Sequence, residues 1–194
     1  MVEHARAQIM AVGVDRFNIN EVLRQAGGSK ATLVKYFGDR TGLIAAAIGA
    51  EARSAMAELG FGTAIPLSMP LAEALQRVLC GVLQFYLQPG ALSLYRAVVG
   101  SASSDPRGAA GFYHEGHAVV VSSIAQILEN RKGRDVRRNI DSLDVADQLV
   151  HAIRAGLYER ALIGLDSPST DDAAIKCRIS ATLALVLPGL AIHG

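Results

Sequence analysis

The sequence predicts an all-α chain of about nine helices. Three observations point that way. Apolar residues recur three and four positions apart, Gly and Pro cut the chain into segments of helical length, and alternating strand patterns are nearly absent. The one β-branched run, Val119-Val120-Val121, lies inside a longer stretch of helical period. At 194 residues, 51% apolar and 19% charged, the chain can bury a sizeable core and does not have the composition of a disordered segment.

The elements follow in order. A short segment over about 3–12 places Ala5 and Ile9 one turn apart, and Gly13 ends it. Asn18-Ile19-Asn20-Glu21 reads as a capping box opening a helix through about Ala26, which Gly27-Gly28 stops. Ser29 caps a third helix, Lys30 to Tyr36. Asp39 caps an alanine-rich helix to about Leu59. Residues 60–70 form a linker. The next helix, about 71–88, buries Leu71, Leu75, Val78, Leu79, Val82, Leu83 and Tyr86 along one stripe. Pro89-Gly90 breaks it, and a helix of about 91–101 follows. Helix 107–131 carries Phe112, Val119, Val120, Ile124, Ile127 and Leu128 on one side. A charged connector from Arg131 to Asn139 leads into helix 144–165; its basic run, Arg131 to Arg138, is expected to be solvated, with a nucleic-acid arm as the alternative reading. The final helix, 171–187, ends at Pro188-Gly189.

Net charge is +1, but its distribution is uneven. Residues 1–53 hold seven Lys/Arg against five Asp/Glu, and Arg24, Lys30, Lys35 and Arg40 lie where Asp39 is the sole nearby acid. That supports a nucleic-acid-facing patch without establishing one. Cys80 and Cys177 sit in apolar periodic segments as small hydrophobes, with no zinc spacing, so no metal and no cofactor are expected. No apolar run approaches the ~20 residues needed to cross a bilayer. The N-terminus also lacks signal-peptide layout. No membrane association and a cytoplasmic location are expected.

Three short helices with a tight Gly turn between the second and third describe a helix-turn-helix. Residues 18–43, NINEVLRQAGGSKATLVKYFGDRTGL, closely resemble the signature of the TetR family of transcriptional regulators. The matching residues are Ala26-Gly27, Ser29-Lys30, Thr32-Leu33, Phe37, Gly38-Asp39-Arg40 and Leu43, within a resemblance spanning about 9–50. The distal pattern, Asp105-Pro106, Phe112 and Gly116 followed by two long helices, loosely resembles the AefR-like subgroup. The resemblance implies a DNA-binding domain over 1–45 and a helical ligand-sensing and dimerisation domain over 46–194. It also implies a ligand-responsive repressor that binds a palindromic DNA operator as a homodimer.

Val22, Leu23, Leu33 and Phe37 supply a miniature core, leaving Lys30, Ala31, Thr32, Lys35 and Tyr36 at an exposed face. With 29–36 in the major groove, Lys30 and Thr32 reach base edges, while Ser29, Lys35 and Tyr36 contact phosphate. Arg40, beside the N-terminus of the next helix, completes a phosphate clamp. Lys35 and Arg40 can equally be solvated helix charges, and Tyr36 can pack on the first helix. Three departures from the family pattern predict weaker DNA affinity. Val34 stands where the family usually has a phosphate-touching Tyr. Gly28 replaces an apolar turn residue. Met1 falls where the family's first helix has already begun, so the true start lies upstream or the basic arm is lacking.

Helices 144–165 and 171–187 are apolar over more than half their circumference, which a helix wet on one side does not need. They are expected to form the dimer interface, with Ala152, Gly156, Ala181 and Ala184 permitting close crossing. Phe85, Tyr86, Tyr95, Phe112, His117 and Arg154 are candidates to bind a small apolar or amphipathic effector, though each aromatic can equally be core.

His114-Glu115-Gly116-His117 suggests a metal, but its i, i+3 spacing and lack of a third ligand favour a plain histidine pair. Gly27-Gly28-Ser29-Lys30 lacks the spacing and preceding strand of a phosphate loop. With no nucleophile elbow, paired carboxylates or cofactor fingerprint, an enzyme is not expected. The runner-up is an all-helical small-molecule-binding or interaction protein without DNA binding.

Overall fold

A computed structural model describes residues 1–14, 16–58, 65–166 and 171–192. Among them there is no strand, only the isolated bridges Lys132–Val136 and Val136–Ala191. The helices are α1 (Val2–Val12), α2 (Ile19–Gln25), α3 (Lys30–Phe37), α4 (Arg40–Glu58), α5 (Leu71–Tyr86), α6 (Pro89–Ser101), α7 (Pro106–Phe112), α8 (Ala118–Glu129), α9 (Ser142–Arg154), α10 (Leu157–Leu162) and α11 (Asp172–Leu190). A π-helical turn, Tyr113–His117, joins α7 to α8. Two compact units interleave along the chain: Met1–Ala55 with Pro89–Val119, and Met56–Gln88 with Val120–Gly194.

In the first unit Ala5, Ile9, Phe17, Val22, Leu23, Leu33, Leu43, Ile44, Ala47, Ile48 and Leu94 form one buried cluster. Each Leu, Ile or Val removed from water contributes about 1.5–3 kcal/mol. These are the inward residues of α1 to α4 and Phe17 of the α1–α2 connection, closed by Leu94 from α6. The expected helix over 107–131 is interrupted by the π turn, where the Ala118 N–H donates to the Tyr113 carbonyl five residues back. The extra residue in the turn leaves Gly116 buried, 3.2 Å (to an added Cβ) from Ile48 of α4. Glu115 meanwhile pairs with Arg53 of α4 at 3.2 Å.

In the second unit α5 buries Leu71, Ala74, Leu75, Val78, Leu79, Val82 and Leu83 against α11 and α9. This is the expected stripe, except that Tyr86 is only half-buried. The expected helix over 144–165 is broken in two. Ala155 is extended (ψ 126°), and Gly156 takes φ 86°, which glycine adopts without a Cβ penalty. The expected stop at residue 187 is also passed, because α11 runs through Pro188 to Leu190. Its last carbonyls are satisfied from outside: Arg137 donates from Nη2 to the Pro188 oxygen (3.1 Å) and from Nε to the Ala191 oxygen (3.2 Å).

The 131–139 connector is therefore solvated only in part: Arg134, Arg138 and Asn139 are exposed, but Arg131 and Val136 are buried. Arg131 is 1% exposed, ion-paired to Asp135 at 2.6 Å and donating to the Pro66 and Met69 carbonyls. Buried charge of this kind survives only with such partners. Helix α11, at 19 residues, is long and apolar enough by length and composition to cross a membrane, contrary to the expectation that no run comes close. Only 28% of that window is buried within the chain.

Candidate nucleic-acid interface

Three caps set the helix-turn-helix. The Asn18 side chain accepts from the Asn20 and Glu21 amides, at 3.0 and 3.3 Å. The reciprocal half of the expected capping box does not form. Glu21 instead binds Arg24 and Gln25, and the Asn18 amide donates to the Gln8 side chain at 2.7 Å. The Arg24 and Gln25 bonds hold the Glu21 carboxyl below its ordinary value, and Glu21 raises the Arg24 guanidinium. Arg24 is thus occupied within α2. Gly27 turns the chain at φ 61°, and the Ser29 Oγ accepts from the Thr32 amide at 3.1 Å to open α3. The Asp39 side chain then accepts from the Gly42 amide at 2.9 Å to open α4.

Gly28 is where the sequence expects lost packing, and that space is filled. The Met1 methyl lies 2.5 Å from where a Gly28 Cβ would stand. Met1 is one of the residues packed against the buried cluster. At the next corner Gly42 has no room at all: an added Cβ would overlap the Phe37 carbonyl oxygen and lie 3.0 Å from its carbon. The angle between α3 and α4 depends on that contact.

With Leu33 buried and Phe37 half-buried, α3 presents Lys30, Ala31, Val34, Lys35 and Tyr36 outward. Tyr36 is 66% exposed, so it does not pack on the first helix. Its ring lies 5.1 Å from the Lys35 ammonium. Ser29 is exposed and Thr32 half-buried, and their hydroxyls sit 3.0 Å apart within the cap. Arg40 is exposed but tethered. Its Nη2 donates to the Val14 and Phe17 carbonyls (3.1 and 3.4 Å), and its guanidinium lies 5.2 Å from the Phe17 ring centroid.

The six candidate effector residues divide between the units. In the second, Phe85, Tyr86 and Arg154 come together with Tyr158. The ring centroids are 5.7 Å (Phe85–Tyr86) and 5.9 Å (Tyr86–Tyr158) apart, and Arg154 lies 4.3 Å from the Tyr158 ring. Arg154 is 8% and Tyr158 2% exposed. Sequence reading missed Tyr158, although it stands four residues after Arg154. In the first unit Tyr95 meets Phe112 edge-on at 5.7 Å, and His117 lies 5.2 Å from Tyr113.

A short three-helix core presenting a capped, lysine-flanked third helix defines a helix-turn-helix DNA-binding protein. Residues 2–47 match the family description "bacterial regulatory proteins, tetR family", and 73–187 match "AefR-like transcriptional repressor, C-terminal domain". The chain belongs to the TetR family, with an AefR-like C-terminal domain, and is a DNA-binding transcriptional regulator rather than an enzyme. Family members bind DNA operators and act as homodimers.

Solved structures share the fold over nearly the whole chain. A TetR-family regulator from Mesorhizobium loti is 19% identical, with TM-score 0.79 over 98% of this chain and 95% of that one. A TetR regulator from Agrobacterium tumefaciens is 24% identical, TM-score 0.70, covering 99% and 93%. The flavonoid-responsive regulator FrrA is 26% identical, TM-score 0.73, covering 100% and 96%. Comparison with curated protein sequences gives no match.

Proposed function

We propose that this regulator is a ligand-responsive repressor that reads a palindromic operator through α3. In this reading residues 1–45 form the DNA-binding domain and 46–194 the sensing and dimerisation domain. The observation that carries it is the outward face of α3: two exposed lysines and an exposed tyrosine on a helix whose other side is anchored by Leu33. Lys30 and Ala31 face base edges. Lys35, Tyr36 and Ser29 meet phosphate, and Thr32 buttresses the cap rather than reaching a base. Arg40 adds the donors left free by its two carbonyl bonds.

The dimer forms through the segments 144–165 and 171–187. Helix α11 supports this reading because it is apolar, little buried within its own chain, and exposes Leu185 at 84% beside exposed Ala181 and Ala184. A second copy covering that face removes the cost of leaving it wet. It also sets two α3 helices one DNA turn, about 34 Å, apart. The same covering accounts for the helix without a membrane. A DNA reader works beside the chromosome, so the proposal includes a cytoplasmic location.

The effector is a small apolar or amphipathic molecule. Phe85, Tyr86 and Arg154, which meet in one unit, form one candidate set of rings and polar handles for it; Tyr95, Phe112 and His117, in the other unit, form a second. Likeness to a flavonoid-responsive relative makes flavonoids the first class to screen. Binding shifts the population toward a form with wrongly spaced reading heads. The coupling is typically about 1–3 kcal/mol, or 5–150-fold in DNA affinity.

The test is a footprint on DNA flanking the protein's own gene at about 50 and 200 mM salt. A protected palindrome whose affinity falls by orders of magnitude across that range is expected. No protection by protein stripped of ligand, at either salt, would overturn the reading.

A further inference from the structure

We propose that Val34 is a base-reading residue that recognises the 5-methyl group of a thymine in each operator half-site. The proposal rests on the placement of α3 in the major groove given above. Val34 is 62% exposed at the centre of the eight-residue α3. It adds nothing to the cluster that Leu33 helps build. A β-branched side chain also gives up rotamer freedom in a helix, so neither core packing nor helix propensity explains a valine there.

Its neighbours define what can cover it. Lys30, Ala31, Val34 and Lys35 occupy positions i, i+1, i+4 and i+5 and are all exposed, so they form one patch. The Ala31 and Val34 methyl groups make an apolar strip bordered by Lys30 and Lys35. The one hydroxyl that sequence alone offers as a base reader, Thr32, is engaged elsewhere: it lies 3.0 Å from the Ser29 hydroxyl, and its amide donates to that oxygen in the helix cap.

An apolar strip beside a lysine that faces base edges and one that meets phosphate matches one feature of duplex DNA. Phosphates line the edges of the major groove, and the thymine C5-methyl is the one apolar group on its floor. A tyrosine at this position would trade that contact for a phosphate bond. The departure at Val34 therefore replaces a sequence-blind contact with a sequence-specific one.

The experiment takes a duplex selected by the full-length protein from a random pool and replaces each thymine in turn by deoxyuridine. This removes one methyl and leaves every hydrogen bond intact. Wild-type protein should show one position per half-site where the change weakens binding about fourfold, and about fifteenfold when both half-sites carry it. Val34→Ala, which leaves the core untouched, should bind the thymine duplex more weakly and lose the deoxyuridine penalty. Val34→Ile should keep it. Lys35→Ala should weaken all duplexes alike, lower the salt slope by about 1 and leave the penalty in place.

Equal penalties in wild type and Val34→Ala, or selected half-sites without thymine, would overturn the proposal while leaving α3 as the reading helix. A protein that selects duplexes indifferent to Lys30, Val34 and Lys35 substitutions would overturn the placement of α3, and this proposal with it.

Discussion

Replacing Gly42 by alanine should do the opposite of what helix propensity predicts. In a helix interior Gly→Ala ordinarily stabilises by about 0.5–1 kcal/mol. At Gly42 the new methyl would overlap the Phe37 carbonyl oxygen and press on its carbon at 3.0 Å, and neither atom is the movable end of a side chain. The strain must be relieved by displacing the α3–α4 corner, whose residues Leu33 and Leu43 are 7% and 0% exposed. Overpacking of this kind costs about 1–3 kcal/mol. For a chain of this size that lowers Tm by about 2–12 °C.

The displaced element is the proposed reading helix, so operator affinity should fall further, by about tenfold or more, about 1.4 kcal/mol per decade. Gly100→Ala is the control: it also lies in a helix, but nothing stands within 4 Å of its added Cβ. That variant should melt at or slightly above wild type and bind DNA unchanged. Thermal unfolding by circular dichroism, with anisotropy titrations on a labelled operator, reads both quantities. A Gly42→Ala protein that melts and binds like Gly100→Ala would mean that the corner has room for a methyl after all.

Other substitutions separate roles that overlap at single residues. Ser29→Ala should cost about 1 kcal/mol by removing the cap of α3, seen in chemical unfolding. Ser29→Asp should restore that stability, yet weaken DNA binding at low salt by placing a carboxylate near phosphate. Arg131→Met strands Asp135 and the Pro66 and Met69 carbonyls, so it should destabilise by about 3 kcal/mol, the low end for a broken buried pair because Asp135 keeps some solvent contact. Urea unfolding with an unchanged m-value checks it. Leu185→Glu, at a side chain 84% exposed in the single chain, should leave folding intact and convert the dimer to one chain by light scattering. A retained dimer would remove α11 from the interface.

Much of the DNA-binding head was legible because its determinants are local. Asn18 and Ser29 act on amides two or three residues away, and Leu33 and Phe37 share a helix face by spacing alone. What was not legible depends on partners distant in sequence. Arg40 looked like a free cation until Val14 and Phe17 carbonyls occupied it, and Glu21 looked like half of a capping box until Arg24 and Gln25 engaged it. Gly28 looked like a packing defect until Met1 filled the space.

Helical content, the start of most helices and the family signature thus follow from the order of residues alone, since periodicity, caps and turn glycines act over a few residues. The break of residues 144–165 at Gly156, the π turn that the helix following Asp105 takes up against α4, and the interior place of Arg131 emerge only in the folded chain. Each of those turns on what stands beside the residue in space, because a backbone break, an extra residue in a turn or a buried charge is stable only where packed neighbours supply the missing bonds.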